Sequence, residues 1–370
     1  MSRGDTLGKN TRFASTRARR YALQAVARKL LPGRRVGLCL RWVTGRPEVW
    51  YSPAAERAHY KKLMVCGDLW TCPVCASKIT ERRRQELDQA IKGWGGSVFL
   101  VTFTLQHGRE DSIGSLVENL NQAYRGIKSG RAWQEFECKY QLVGSVASLE
   151  LTVSNAAGWH PHKHVLFFSS LKPGDLDENR IQAWLSERFT SKMQEQGRYV
   201  SAVYGVRVEK AVDAQAGGDE ALKAYVAKWG LGAELAKGPV KAAAAENGVL
   251  HYSPFQLLEL AGMGDKQAEA WFVEYAEAMK GRKQLVWSRG LRERLGLATV
   301  EKTDIELAGE QVSSGDILLA QLSLLQWRLV LANDARAELL DIADTGDASA
   351  VWAFIEALGE KLEAWQLAPP

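Results

Sequence analysis

His160, His162 and His164 alternate with other residues in Gly158-Trp159-His160-Pro161-His162-Lys163-His164-Val165-Leu166. On a β-strand, successive side chains point to opposite faces, so the three imidazoles share one face with about 7 Å between neighbours. Three titratable rings in a row do not suit an apolar core. Two of them on one face can share a single cation. Three of the six histidines in the chain fall in these five positions, so the segment is read as a metal-binding strand face.

The flanking sequence supplies a sheet for that strand. Residues 97–106, SVFLVTFTLQ, are rich in β-branched and aromatic residues and read as a strand, and 142–153 read as another. A turn at Asn155 to Gly158 joins the latter to the histidine strand as an antiparallel hairpin. Helices are predicted over 112–128, 176–196 and 219–229, and a strand over 200–210. The order β-α-β-β-α-β-α predicts an α+β fold, a central antiparallel sheet with helices on one face.

Before this core, a helix is predicted over 21–31, ended by Pro32-Gly33, then a strand near 36–44 and a charged helix over 79–91. After it come an Ala-rich connector at 240–250, a helix over 253–280 and an almost wholly helical stretch over 311–366. Four segments follow from this reading. Residues 1–92 form a basic amino-terminal region and 93–240 the core; 241–310 form a helical extension and 311–370 an acidic helical unit.

Charge is unevenly placed. Residues 1–92 hold 20 Lys/Arg against 7 Asp/Glu, whereas residues 301–370 hold 4 against 13. A basic segment of that kind suits a polyanion, because each neutralised phosphate releases condensed counterions. The acidic end is not expected to touch nucleic acid. Cys66, Cys72 and Cys75 crowd into ten positions, the C-x2-C part of a zinc-site pattern in a chain of only five cysteines. Cys39 is the first choice as a fourth ligand and His59 the alternative, leaving Cys138 spare. Arg82, Arg83 and Arg84 follow directly, so zinc is expected to fix a DNA-contacting surface. No 18-residue apolar run and no secretory leader is seen, so no membrane partner is expected and the cytoplasm is the expected compartment.

The histidine run resembles the paired-histidine signature of HUH endonucleases, the rolling-circle replication initiators and relaxases; its longer form, HPHxH, resembles the plasmid and phage Rep branch. The resemblance runs over residues 60–305. In order, it covers VCGDLWTCPVCASKITERRR, the Thr-containing strand Phe99–Leu105, HPHKH and Tyr225-Val226-Ala227-Lys228. Segments Ser253–Leu258 and Leu285–Leu291 are similar as well.

This resemblance implies a ferredoxin- or RRM-like sheet that nicks and joins single-stranded origin DNA. His162 and His164 are the implied ligands of Mg²⁺ or Mn²⁺. Glu150, on the strand before the histidine turn, is the third, and His160 lies on the same face. Tyr225 is the implied nucleophile, leaving a 5′-phosphotyrosine and a free 3′-OH. Lys228, three residues on and on the same helical face, would stabilise phosphate charge. Tyr204 is the rival nucleophile. Glu220 or Glu234 would activate water.

Lys163 departs from the family, which usually has an apolar residue between the two ligands. Lys228-Trp229 stand where two-tyrosine initiators carry a second tyrosine, so a single-tyrosine enzyme is expected. No Walker A loop is present, so a host helicase and polymerase are expected partners. A single-strand transposase of the same chemistry, a zinc-dependent DNA-binding regulator and a small-molecule metallohydrolase are the competing readings.

Overall fold

Strand β3 (Ser97–Thr104) is buried along its whole length except at Thr104, the mark of a strand inside a sheet. The computed structural model describes residues 16–215, 244–246, 249–309 and 312–367. They divide into two units, Thr80–Glu301 and the pair of segments Met1–Ile79 and Lys302–Pro370. The architecture is α+β with antiparallel sheets.

In the unit Thr80–Glu301, β3 pairs with β5 (Gly158–Ser169), which pairs in turn with β4 (Leu142–Ser154). The short strands β6 (Val206–Val208) and β7 (Val212–Asp213) pair with the free edge of β3. β8 (Ala244–Glu246) and β9 (Val249–His251) pair antiparallel where the sequence reading had a connector over 240–250. β10 (Leu285–Trp287) adds to β4 and ends the six-stranded sheet. Segment 285–291, which had no evident role in the sequence, thus supplies an edge strand, and Ser288 Oγ accepts a hydrogen bond from Ser145 N at 2.9 Å.

Side-chain alternation gives the two faces different coats. Phe103 meets Tyr124 of α3 (Ile113–Ile127) and Phe189 of α5 (Glu178–Gln194), and Phe167 meets Trp133 of α4 (Gly130–Lys139). The opposite face is divided along its strands. Val98, Leu100, Val146, Leu166 and Phe168 pack with Leu87, Ala90 and Ile91 of α2 (Pro73–Gly93) in one apolar cluster. The same face continues into Thr102, Thr104, Glu150 and the histidines. Helices on one face only is therefore corrected: α2 covers the apolar half of the second face. Gly158 opens β5 at φ +73°, a left-handed turn suited to glycine, and an added Cβ would meet the backbone of Arg109 at 3.0 Å.

Lys163 faces the helix-covered side and is 6% exposed. Its ammonium lies 5.3 Å from the centroid of the Tyr124 ring. Burial, then Arg125 and Arg282, push its pKa down to about 8. Between that value and the ordinary lysine range the unfolded chain holds a proton that the folded chain has released, so stability rises with pH across the window. At pH 7 the folded state bears the cost of a buried cation. Lys163→Met is expected to raise the unfolding free energy at pH 7 by about 1–3 kcal/mol. The gain should shrink near pH 10.5, as urea unfolding at the two pH values would show.

In the other unit, α1 (Thr16–Leu30) leads through a 3-10 turn to the hairpin β1 (Val43–Ser52) and β2 (Arg57–Leu63). The expected strand near 36–44 is mostly that turn. Strand Ile317–Gln321 pairs with the outer edge of β1, so the carboxy-terminal segment is not wholly helical. Helices Leu324–Ala332, Arg336–Ala343 and Ala348–Leu367 follow. Tyr60 of β2 packs edge-on to Trp327 at 5.3 Å, and Arg17 of α1 pairs with Asp341 and Asp344. This grouping differs from the four-segment reading, because the basic amino-terminal and acidic carboxy-terminal segments share one unit. The single helix expected over 253–280 is two, Pro254–Gly262 and Lys266–Ala278, separated at Gly264 (φ +95°).

Candidate functional site

The strand register carries the histidines between two rows of oxygen. His164 lies opposite Thr102 of β3 and Ser148 of β4, and His162 opposite Thr104 and Glu150. Directly opposed residues of antiparallel strands point the same way, so all six side chains crowd one face. Thr102 Oγ1 is 3.0 Å from His164 Nδ1, and Thr104 Oγ1 is 3.2 Å from His162 Nδ1. Each hydroxyl thereby orients an imidazole so that Nε2 projects away from β3. Glu150 Oε2 reaches His164 Nε2 at 2.8 Å. The two parallel rings of His162 and His164 are 5.9 Å apart, interplanar angle 5°. Ser148 Oγ is buried here with no hydrogen-bond partner among the described residues.

Among the described residues the quartet Cys39, Cys66, Cys72 and Cys75 of the other unit is the group of three or more donors gathered closely enough to hold a metal ion; on this face only His164 and Glu150 stand at such a spacing. Adjacent ligands of an octahedral ion about 2.1 Å from each donor stand about 3.0 Å apart, close to the His164–Glu150 spacing. A ligating imidazole is ordinarily held through its other ring nitrogen; here Thr102 and Thr104 occupy Nδ1 of His164 and His162, and Nε2 of His164 faces Glu150. His164 and Glu150 stand at that spacing, and His162, its ring 5.9 Å from that of His164, is the neighbour that would have to close in to complete a set.

His160 continues the row rather than joining that pair. Its ring is 4.2 Å from His162, 4.6 Å from His107 and 6.2 Å from His251. Burial, then His107 and His251, drive the His160 pKa down to about 4, and burial lowers His107 too. Both imidazoles are neutral at physiological pH. His107 donates through Nδ1 to the carbonyl of Ala157 at 2.9 Å. Five of the six histidines thus line one strip. His107 and His251 gave no signal in the sequence, since nothing local to either marks it.

Arg207 is likewise a residue that only the register finds. It lies opposite Thr102 on β6, on the histidine side of the sheet, and is exposed. Tyr204, expected on a strand, sits instead in the turn before β6 and is 77% exposed. The next residue, Gly205, accepts a hydrogen bond from Thr104 N at 2.8 Å, so this turn borders the His162 end of the face. Tyr225, Lys228, Glu220 and Glu234 lie outside the described residues.

In the other unit, the sulfurs of Cys39, Cys66, Cys72 and Cys75 all lie within 4.8 Å of one another and all four residues are buried. Separations of 3.5 Å (Cys39–Cys75), 3.4 Å (Cys66–Cys75) and 3.8 Å (Cys39–Cys72) come up to the roughly 3.8 Å edge of a tetrahedron with 2.3 Å zinc–sulfur bonds, two of them a little short of it. Thiol hydrogen bonds from its neighbours, Cys66 first, pull the Cys39 thiol down, and the bond to Cys39 pushes Cys66 up. Such a quartet is ionised together only around a cation. Cys39 takes the fourth place, and His59 is instead a hairpin residue opposite Trp50. Cys138 is exposed and separate.

The arginine triplet does not form one surface. Consecutive helical residues are about 100° apart, so α2 turns Arg83 inward, where it is 4% exposed and donates to Gln284 Oε1 at 3.3 Å. Arg84 is held by Glu81, and Arg82 is half-buried. A different set of cations collects near α1. Arg20 is held below the ordinary arginine range by burial, then by Arg57, Arg17 and Arg19.

No helix among the described residues is long and apolar enough to cross a membrane. No protein-family model matches the sequence, and no solved structure matches it. Among curated proteins the chain is similar to "Protein rep" of Streptomyces lividans, with 28% identity covering 66% of this chain and 67% of that protein. It is also similar to "Neomycin resistance protein" of Streptomyces cyanogenus, with 30% identity covering 30% of this chain and 32% of that one.

Proposed function

We propose that the chain is a plasmid-type rolling-circle replication initiator, a metal-dependent endonuclease and strand transferase of HUH type acting on single-stranded origin DNA. The observation that carries this reading is the hydroxyl–imidazole–carboxylate arrangement of Thr102, Thr104, His164, His162 and Glu150 on one sheet face. The similarity to a Rep protein over two thirds of the chain supports it independently.

In this reading His162, His164 and Glu150 would hold Mg²⁺ or Mn²⁺, which would supply Lewis-acid polarisation of the scissile phosphate. Thr102 and Thr104 fix the imidazoles, and His160 supports His162 from the same face. Arg207 offers a cation to the phosphate backbone. Tyr225 attacks phosphorus through its phenol oxygen, giving up its proton to solvent; the P–O3′ bond breaks and the 3′-oxygen takes up a proton and leaves as a hydroxyl. Lys228 balances charge on the phosphate, which a phenol of pKa near 10 requires at neutral pH. Conserving the phosphodiester energy in the tyrosyl link lets a second strand be joined without a nucleotide cofactor. Glu220 or Glu234 would direct water at the link to end a round. The four-cysteine group holds structural Zn²⁺. Host helicase and polymerase are the partners the reading requires, in the cytoplasm.

Incubation with end-labelled single-stranded origin DNA and Mn²⁺, followed by denaturing electrophoresis, tests this. A protein–DNA adduct is expected that disappears with EDTA and in Tyr225→Phe. An adduct that survives in Tyr225→Phe would move the nucleophile, with Tyr204 next. No adduct on either strand, with tight duplex binding, would overturn the catalytic reading in favour of a regulator.

A further inference from the structure

Arg336 opens the helix Arg336–Ala343 and is completely buried. Its Nη1 donates to Gln24 Oε1 at 2.9 Å and to the carbonyls of Leu40 and Cys39 at 3.2 and 3.4 Å. The guanidinium stacks 4.7 Å over the Tyr21 ring. Nε and Nη2 have no hydrogen-bond partner among the described residues. The nearest carboxylate, Asp334, is 3.9 Å from Nη2 and largely solvent-exposed. A guanidinium cannot shed its proton in a protein, and leaving one buried without a matching anion costs several kcal/mol. Something negative belongs beside it.

The four cysteines supply that charge only when ionised. Four neutral thiols carry none; four thiolates around one divalent cation carry two net negative charges. Gln24 shows which state the surroundings are built for. Its Oε1 accepts from Arg336, which turns its Nε2 toward Cys72 Sγ at 3.3 Å as a donor. Cys66 N and Asp68 N also direct donors at Cys39 Sγ and Cys66 Sγ, at 3.5 and 3.4 Å. The surroundings of the sulfurs therefore present donors and a cation, as an anionic cluster needs.

We propose that Arg336, acting through Gln24 and the Cys39 carbonyl, is the charge-balancing positioning residue of a four-thiolate metal centre, so that metal and carboxy-terminal helices hold each other in place. This rests on the cysteine quartet binding a metal. It gives the acidic carboxy-terminal segment a role the sequence did not disclose: one buried arginine among its acids closes the metal centre.

The full chain is prepared metal-free and titrated with Co²⁺ or Cd²⁺, reading the thiolate-to-metal charge-transfer band. The same titration is run on Arg336→Met and Arg336→Lys. Affinity is expected to fall about 10- to 100-fold in the Met variant and to be largely kept in the Lys variant. The effect on stability should also change sign. Arg336→Met destabilises the metal-loaded protein but stabilises the metal-free one, where it removes an unbalanced charge. Should the Met variant fail to fold, amide exchange of 336–343 in the unaltered chain still decides, since protection is expected to drop on chelation. Unchanged affinity in Arg336→Met, or unchanged protection of 336–343 on chelation, would overturn the proposal while leaving the metal centre intact. Absence of any charge-transfer band in the unaltered chain would instead overturn the metal centre itself, and the proposal with it.

Discussion

Replacing His164 by alanine is expected to reduce Mn²⁺-dependent adduct formation by about a thousandfold or more while leaving the fold in place. His164 is the residue on which three elements converge: β5 carries it, Thr102 of β3 fixes Nδ1, and Glu150 of β4 meets Nε2. Removing it takes away one ligand and leaves Glu150 with nothing to orient it. If the cation contributes several kcal/mol to the transition state, each 1.36 kcal/mol lost is a factor of ten. Thr102→Val keeps the ligand but loses its orientation, so a smaller fall, about 10- to 100-fold in metal affinity, belongs with it. The measurement is adduct yield against Mn²⁺ concentration for the three proteins. Equal yields for His164→Ala and the unaltered chain would remove the histidine face from catalysis.

If the cysteine quartet holds zinc as proposed, removing the metal with a chelator, or substituting Cys72→Ser, is expected to unfold the unit that holds both chain ends. Binding free energies of structural zinc run to about 10–16 kcal/mol in small zinc domains, comparable to the whole stability of an ordinary domain. Cys72 is completely buried and accepts from Gln24, so serine there would leave both an incomplete ligand set and a mispaired donor. Calorimetry without added Mg²⁺ or Mn²⁺ should show two transitions, of which the one assigned to Thr80–Glu301 is unmoved by chelator and the other is lowered or lost. A single transition unchanged by chelation would mean that the quartet stabilises nothing.

Strand identity was the most legible part of the sequence. SVFLVTFT, LVGSVASLELTV and HPHKHVLFFSS are found as strands close to their expected bounds, because β-branched density and period-two alternation are local properties. The short edge strands were not legible. Three residues such as Leu285–Trp287 bear no pattern of their own and become a strand only because β4 offers them an unpaired edge. Ile317–Gln321, within an acidic stretch of mostly helical composition, is a strand for the same reason, beside β1. Helix bounds erred where a glycine in left-handed geometry intervened, as at Gly264.

By itself the sequence determined that His160, His162 and His164 share a face and that Cys66, Cys72 and Cys75 gather, because both follow from spacing over a few residues. Only the tertiary structure decided what stands opposite them. Thr102 and Thr104 meet the His164 and His162 rings, and Arg207 joins the face, through strand register, which is set by which strands pair. His107, in the segment after β3, and His251, on β9, reach His160 through the folding of the chain around that sheet. It also decided the meaning of the charge asymmetry. Arg17 is held by Asp341 and Asp344, and Arg336 reaches Gln24 and the Cys39 carbonyl. Part of the basic amino-terminal charge is therefore met by the acidic end of the same chain. Composition records how much charge a segment carries, whereas folding decides which charges meet.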